Sequence, residues 1–99
     1  MITSKQRAAL RKAANSLDPV FIIGKEGMSD VILSQLAEVL EARELIKVKI
    51  LESAMLDTRQ TCDETARALG AEPVQAIGSK FVIYKRAEKE KNRKIKLQK

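Results

Sequence analysis

Four residues, Gly24-Lys25-Glu26-Gly27, hold the most specific local chemistry in this 99-residue chain. They follow the apolar run Val20-Phe21-Ile22-Ile23 and precede Ser29 and Asp30, either of which can start a helix, so the loop joins a strand to a helix N-terminus. Backbone N–H groups at a helix start, together with the positive end of its dipole, favour an anion, and glycines let a phosphate backbone approach closely. Read only as a turn, the same pattern asks for nothing more than a positive φ. Glu26 adds a negative charge where a phosphate would arrive.

The second group is cationic. Lys47 and Lys49 alternate with Ile46, Val48 and Ile50, which puts both ammonium groups on one side of a strand. Lys5, Arg7, Arg11 and Lys12 lie in the first helical stretch, and Lys85 and Arg86 follow the last strand. The formal net charge is +6. Residues 1–84 are neutral in sum, with eleven basic and eleven acidic side chains, so the excess sits in residues 85–99, where eight basic residues face only Glu88 and Glu90. Residues 1–27 are nevertheless net +3 and residues 28–84 net −3. A basic tail beside a basic N-terminal segment is the footprint of a polyanion partner, since each neutralised phosphate releases a counterion. A solvated helix face and a solubilising tail would read the same way from charge alone.

Other chemistry has little to stand on. The chain has no histidine, which removes the commonest general base and metal ligand. Cys62 is the single cysteine, so neither an internal disulfide nor a cysteine metal cage can form, and no activating partner for it is visible. The four glycines, Gly24, Gly27, Gly70 and Gly78, build no nucleotide-phosphate loop. These absences argue for a protein that is not an enzyme, with no cofactor, no metal site and no catalytic residue. No apolar run approaches the roughly 20 residues that span a bilayer, and no secretory signal is visible. The reading is a cytoplasmic protein with no membrane partner. The aromatics are Phe21, Phe81 and Tyr84, all in apolar strand segments, so there is no base-stacking platform and contacts should be to shape and phosphate.

The elements that must position these residues follow from patterning. Ser4 can cap a helix running to about Ser16, and Asp18-Pro19 breaks it. The continuous run Val20–Ile23 predicts a central, fully buried strand. A second helix, carrying Ile32, Leu36, Val39 and Leu40, ends near Glu44. The alternating strand from Leu45 comes next. Asp57 with Gln60 resembles a capping box for a third helix, which buries Cys62, Ala66 and Leu69 and stops at Gly70. Val74–Ile77, the turn Gly78-Ser79 and Lys80–Tyr84 make a hairpin. The order helix, strand, helix, strand, helix, strand, strand predicts an α/β fold with a four-stranded mixed sheet. Residues 1–86 would form the domain and residues 87–99 a mobile basic tail, because Ile95 and Leu97 are its only large apolar residues.

Three runs then add up to a family: Pro19–Ser29, Glu44–Ile50 and Val74–Lys85 closely resemble the CRM domain, named for chloroplast RNA splicing and ribosome maturation, in its stand-alone bacterial YhbY-like branch. The resemblance covers about residues 2–86. It implies a sheet and helices similar to the C-terminal domain of bacterial translation initiation factor three. It also implies binding to RNA, namely ribosomal RNA in precursors of the large ribosomal subunit, with ribosomal proteins as further partners of a monomer. The family's RNA-binding loop maps onto Gly24, Lys25, Glu26 and Gly27, and its basic surface onto the first helix with Lys47 and Lys49. A reading of another class makes the chain a protein-interaction adaptor whose acidic stretch, residues 28–72, meets basic ribosomal proteins or assembly factors.

Overall fold

The computed structural model describes residues 2–95 and 97. Three helices, α1 (Ser4–Ala14), α2 (Asp30–Arg43) and α3 (Thr58–Leu69), alternate with β1 (Phe21–Ile23), β2 (Leu45–Ile50), β3 (Glu72–Ile77) and β4 (Lys80–Tyr84). Short 3-10 turns cover Glu52–Ala54 and Glu90–Asn92. The sheet order is β1-β2-β4-β3, with β1 parallel to β2 and the other pairings antiparallel, so the expected four-stranded mixed sheet is present.

The alternation in β2 divides the molecule into two unequal layers. Ile46, Val48 and Ile50 point to one face, where Ile23, Phe81 and Ile83 join them under Leu36 and Leu40 of α2 and Cys62 and Ala66 of α3. On the other face α1 lays Leu10 and Ala14 over Leu45, Val74, Val82 and Tyr84. One helix cannot cover four strands. The far half of that second face stays open, and Lys47 and Lys49 project there.

Local chemistry sets the helix ends. Thr3, not Ser4, caps α1, because Gln6 completes a reciprocal pair: Thr3 Oγ1 accepts from Gln6 N at 3.1 Å and Gln6 Oε1 accepts from Thr3 N at 2.9 Å. Ser29 caps α2. Asp57 accepts from Gln60 N at 2.8 Å, but the Gln60 amide turns to Glu64, so only half of the expected box forms. Gly70 ends α3 at φ 67°, a left-handed conformation that favours glycine.

Two expectations need correction. The run Val20–Ile23 is not a central buried strand: β1 lies at the sheet edge, and Ile22 is 56% exposed. Phe21 and Ile23 face the α2 and α3 layer, which accounts for their apolarity, while Ile22 meets no helix on its own side. The segment after β4 also does not stand away from the body. Ala87 is buried, Ile95 and Leu97 pack on the α1 layer, and backbone N–H groups from Ala87 to Ile95 bond to Glu41 and Glu44. Counting apolar residues missed this attachment because hydrogen bonds to two carboxylates provide much of it. Of the tail's basic residues, Lys96 and Lys99 lie outside the described residues.

Candidate nucleic-acid interface

Register places one cross-strand row on the open half of the sheet. Ile22 pairs with Lys49, Lys49 with Lys80, and Lys80 with Ile77, so the row crosses all four strands. Its ends, Ile22 and Ile77, are 56% and 65% exposed, and Lys80 is exposed between them. Lys47 lies on the same face, two residues back along β2 and opposite Val82. Like charges directly opposite across a ladder repel, with side-chain bases about 5 Å apart. Among the described residues no carboxylate comes within 4 Å of Lys47, Lys49 or Lys80. Such a surface lacks a counter-anion of its own.

The glycine loop borders this row. Leu51 N bonds to Ile23 O at 2.8 Å and Ile50 N to Ser79 O at 2.7 Å, which gathers the loop, the end of β2 and the β3–β4 turn at one end of the sheet. Gly27 N closes a turn onto Gly24 O at 2.9 Å, and Gly27 adopts φ 72°. Lys25 and Glu26 are exposed at its tip. The α2 N-terminus behind it already carries acceptors: Ser29 Oγ takes the Ile32 N–H at 3.2 Å, and Asp30 occupies the first turn. The loop therefore offers an anion an exposed backbone and one lysine more than it offers a bare helix dipole.

The other residues predicted from sequence fall into separate places. Arg7 serves the edge of β3, with Nε donating to Pro73 O at 3.1 Å and Nη2 lying 3.9 Å from Glu72. Arg7, Arg11 and Arg59 line a groove of about 500 Å3 along that edge. Pro73 has no N–H and its carbonyl is occupied by Arg7, which blunts β3 against strand addition. Lys5 and Lys12 are exposed on α1. Lys85 and Arg86 lie past the opposite end of β4, about 17 Å from Lys80 at strand rise. The structure thus brings Gly24–Gly27 together with Lys47 and Lys49, and sets Lys85 and Arg86 apart from them.

Sequence reasoning missed three residues. Lys80 could have been found from the two-residue turn, which fixes its alternation, but its partner Lys49 depends on a nonlocal pairing. Glu41 and Glu44 left no signal, since solvated helix acids look identical. Glu44 is fully buried at φ 67° as the α2 C-cap; its carbonyl accepts from Lys85 N at 2.9 Å. Its side chain accepts from Ala87 N (2.9 Å), Lys94 N (2.5 Å) and Ile95 N (2.9 Å). Burial pushes its carboxyl up, but these N–H groups and the charge of Arg93 outweigh that and hold it below the usual carboxylate range. Glu41 accepts from the Asn92 amide at 2.9 Å and from the N–H groups of Glu88 and Lys89; these bonds, the Asn92 one foremost, lower its carboxyl as well. Burial, aided by Asp63, pushes the Cys62 thiol up to about 12, which leaves it protonated and a poor nucleophile at neutral pH. Among the described residues no cluster of metal-ligating side chains occurs, and no helix is long and apolar enough to cross a membrane.

Comparison with known proteins supplies a family. Residues 2–85 match the CRS1 / YhbY (CRM) domain. The chain is 40% identical over 97 residues to Probable RNA-binding protein YqeI of Bacillus subtilis (strain 168), covering 98% of this chain and 99% of that one. It is 30% identical over 88 residues to Probable RNA-binding protein PA4753 of Pseudomonas aeruginosa, covering 89% and 85%. The solution structure of the hypothetical protein SAV1595 from Staphylococcus aureus superposes with a TM-score of 0.79 at 38% identity, covering 97% of this chain and all of that one.

Proposed function

We propose, since this chain belongs to the CRS1 / YhbY (CRM) domain family, that it binds structured ribosomal RNA during assembly of the large ribosomal subunit. It does so as a cytoplasmic monomer, through phosphate contacts and without catalysis. The observation that carries the reading is the open row with Lys49 and Lys80 side by side and no carboxylate near either, bordered by the Gly24–Gly27 loop. A phosphate between two such lysines removes their repulsion and releases counterions, so binding and local relief coincide. The names of the relatives, both probable RNA-binding proteins, support the same partner. The adaptor reading is weaker, because Glu41 and Glu44, two of the acids it would present, are occupied by hydrogen bonds within the chain.

Affinity for labelled fragments of large-subunit ribosomal RNA, measured across salt, tests the proposal. Lys47→Ala with Lys49→Ala and Lys80→Ala should weaken binding about tenfold or more and flatten the log–log salt slope by roughly 0.7 to 0.9 for each phosphate no longer neutralised. Equal slopes for the folded variant and the parent chain would remove this face from the interface.

A further inference from the structure

We infer that residues 86–95, held in shape by Glu41 and Glu44, form a second phosphate-binding site that grips the backbone of the same RNA; the inference rests on the RNA-binding reading above. The matched domain ends at residue 85, so this segment lies beyond it, although the Bacillus subtilis relative aligns over 97 residues and has the segment as well. Its attachment is unusual in which groups it uses. A basic tail against two acids should satisfy them with lysine and arginine side chains. Here five backbone N–H groups and the Asn92 amide do so instead. No close ion pair is made: among the described residues no carboxylate lies within 4 Å of Arg86, Lys89, Lys91, Arg93 or Lys94, and Arg93 and Lys89 act on Glu44 and Glu41 only at longer range.

Those cations are also arranged. A cleft of about 710 Å3 between the segment and the end of β4 is lined by Arg86, Arg93 and Lys94 against one acid, Glu90, with Tyr84 and Ile95 in its wall. Arg93 is pinned, with Nε donating to Ala87 O at 2.9 Å and Nη2 to Glu88 O at 3.3 Å, so its guanidinium loses little freedom when it meets a ligand. Lys94 is set by its own N–H on Glu44. Guanidinium and ammonium groups converging on a cleft select phosphate oxygens. Separation from the lysine row, about 17 Å along β4, lets one folded RNA touch both places.

The test uses the full chain, ribosomal RNA fragments and amide hydrogen exchange. Glu41→Ala with Glu44→Gln removes the latch, and Glu41→Ala alone, at a partly exposed position, serves if the double variant does not fold. Both raise the net positive charge, so a purely electrostatic tail predicts tighter binding. The latch predicts faster exchange at residues 87–95 and affinity reduced roughly fivefold, because the cations are no longer held in place despite the added charge. Arg86→Gln with Arg93→Gln and Lys94→Gln should keep the amides protected while lowering both affinity and salt slope. Unchanged or tighter binding by the latch variants, unaltered exchange, or an unaffected glutamine triple each overturns the site. Competition by polyglutamate as effective as that by RNA would overturn it in favour of an acidic protein. Failure of the unmodified chain to bind RNA would instead overturn the parent reading.

Discussion

The two ends of the sheet treat charge in opposite ways. At the loop end, lysines stand side by side across the ladder with no acid near, and the surrounding backbone is satisfied by turns. At the other end, two carboxylates are saturated, but by N–H groups rather than by the abundant cations of the same segment. Net charge per region would have described one as basic and the other as a basic tail on an acidic helix. Placement decides which charges remain available: the acids at the clamp do structural service, and the cations around it make no close ion pair because N–H groups already fill the carboxylates.

The largest effect should come from breaking the clamp. Glu44→Ala leaves three N–H groups without their acceptor, each worth about 1 to 3 kcal/mol if it stayed buried. The segment can detach and hydrate them, so the expected loss is about 2 to 4 kcal/mol, read as a fall in Tm of roughly 10 °C or more. Glu44→Gly relieves the positive φ and should cost less than the alanine variant. A Tm unchanged in both would make the two ends alike, each a solvated surface.

The contrast also marks what was legible in the sequence. Periodicity, one apolar run and turn residues together marked all seven main elements, the regular buried faces being those of Leu36 and Leu40 or Ile46, Val48 and Ile50. The loop and Lys47 with Lys49 were readable because spacing and alternation are local. β1 was misplaced, since an apolar run cannot say whether its strand has one neighbour or two. Lys80 and the clamp were out of reach for a related reason: the β2–β4 register and the hydrogen bonds that Glu41 and Glu44 accept from residues more than forty positions away are tertiary facts.

Acid should separate the ends next. Both clamp carboxyls are held below the ordinary value of 4.5, so their contribution is fully present above it and is lost as pH falls through the lower folded values. Amide NMR signals of Ala87, Lys94 and Ile95 should move toward unfolded positions below pH 4.5, while those of the lysine row stay. Simultaneous movement of both sets would show a single global transition. In the loop, Gly27→Ala at φ 72° should cost about 1 kcal/mol, whereas a Cβ at Gly24 meets only Leu51 Cδ1 at 3.8 Å and should be nearly silent in stability. A loss of RNA affinity in Gly24→Ala without a change in Tm would assign that glycine to close approach rather than to the turn.

The smallest expected effect has the most informative sign. Lys80→Glu turns the directly opposed Lys49–Lys80 pair from like to unlike, and a favourable cross-strand pair contributes about 0.2 to 1 kcal/mol. Thermal unfolding should therefore rise by a few degrees while RNA affinity falls, with Lys80→Ala intermediate in both. Opposite signs are what an anion site built from mutually repelling lysines requires, since the free protein tolerates a repulsion that only its ligand relieves. A surface whose lysines serve solubility alone would show the gain in stability with no loss of binding. A drop in Tm would mean that Lys80 already has a stabilising role in the sheet, and the case for an unfilled anion site at this row would fall with it.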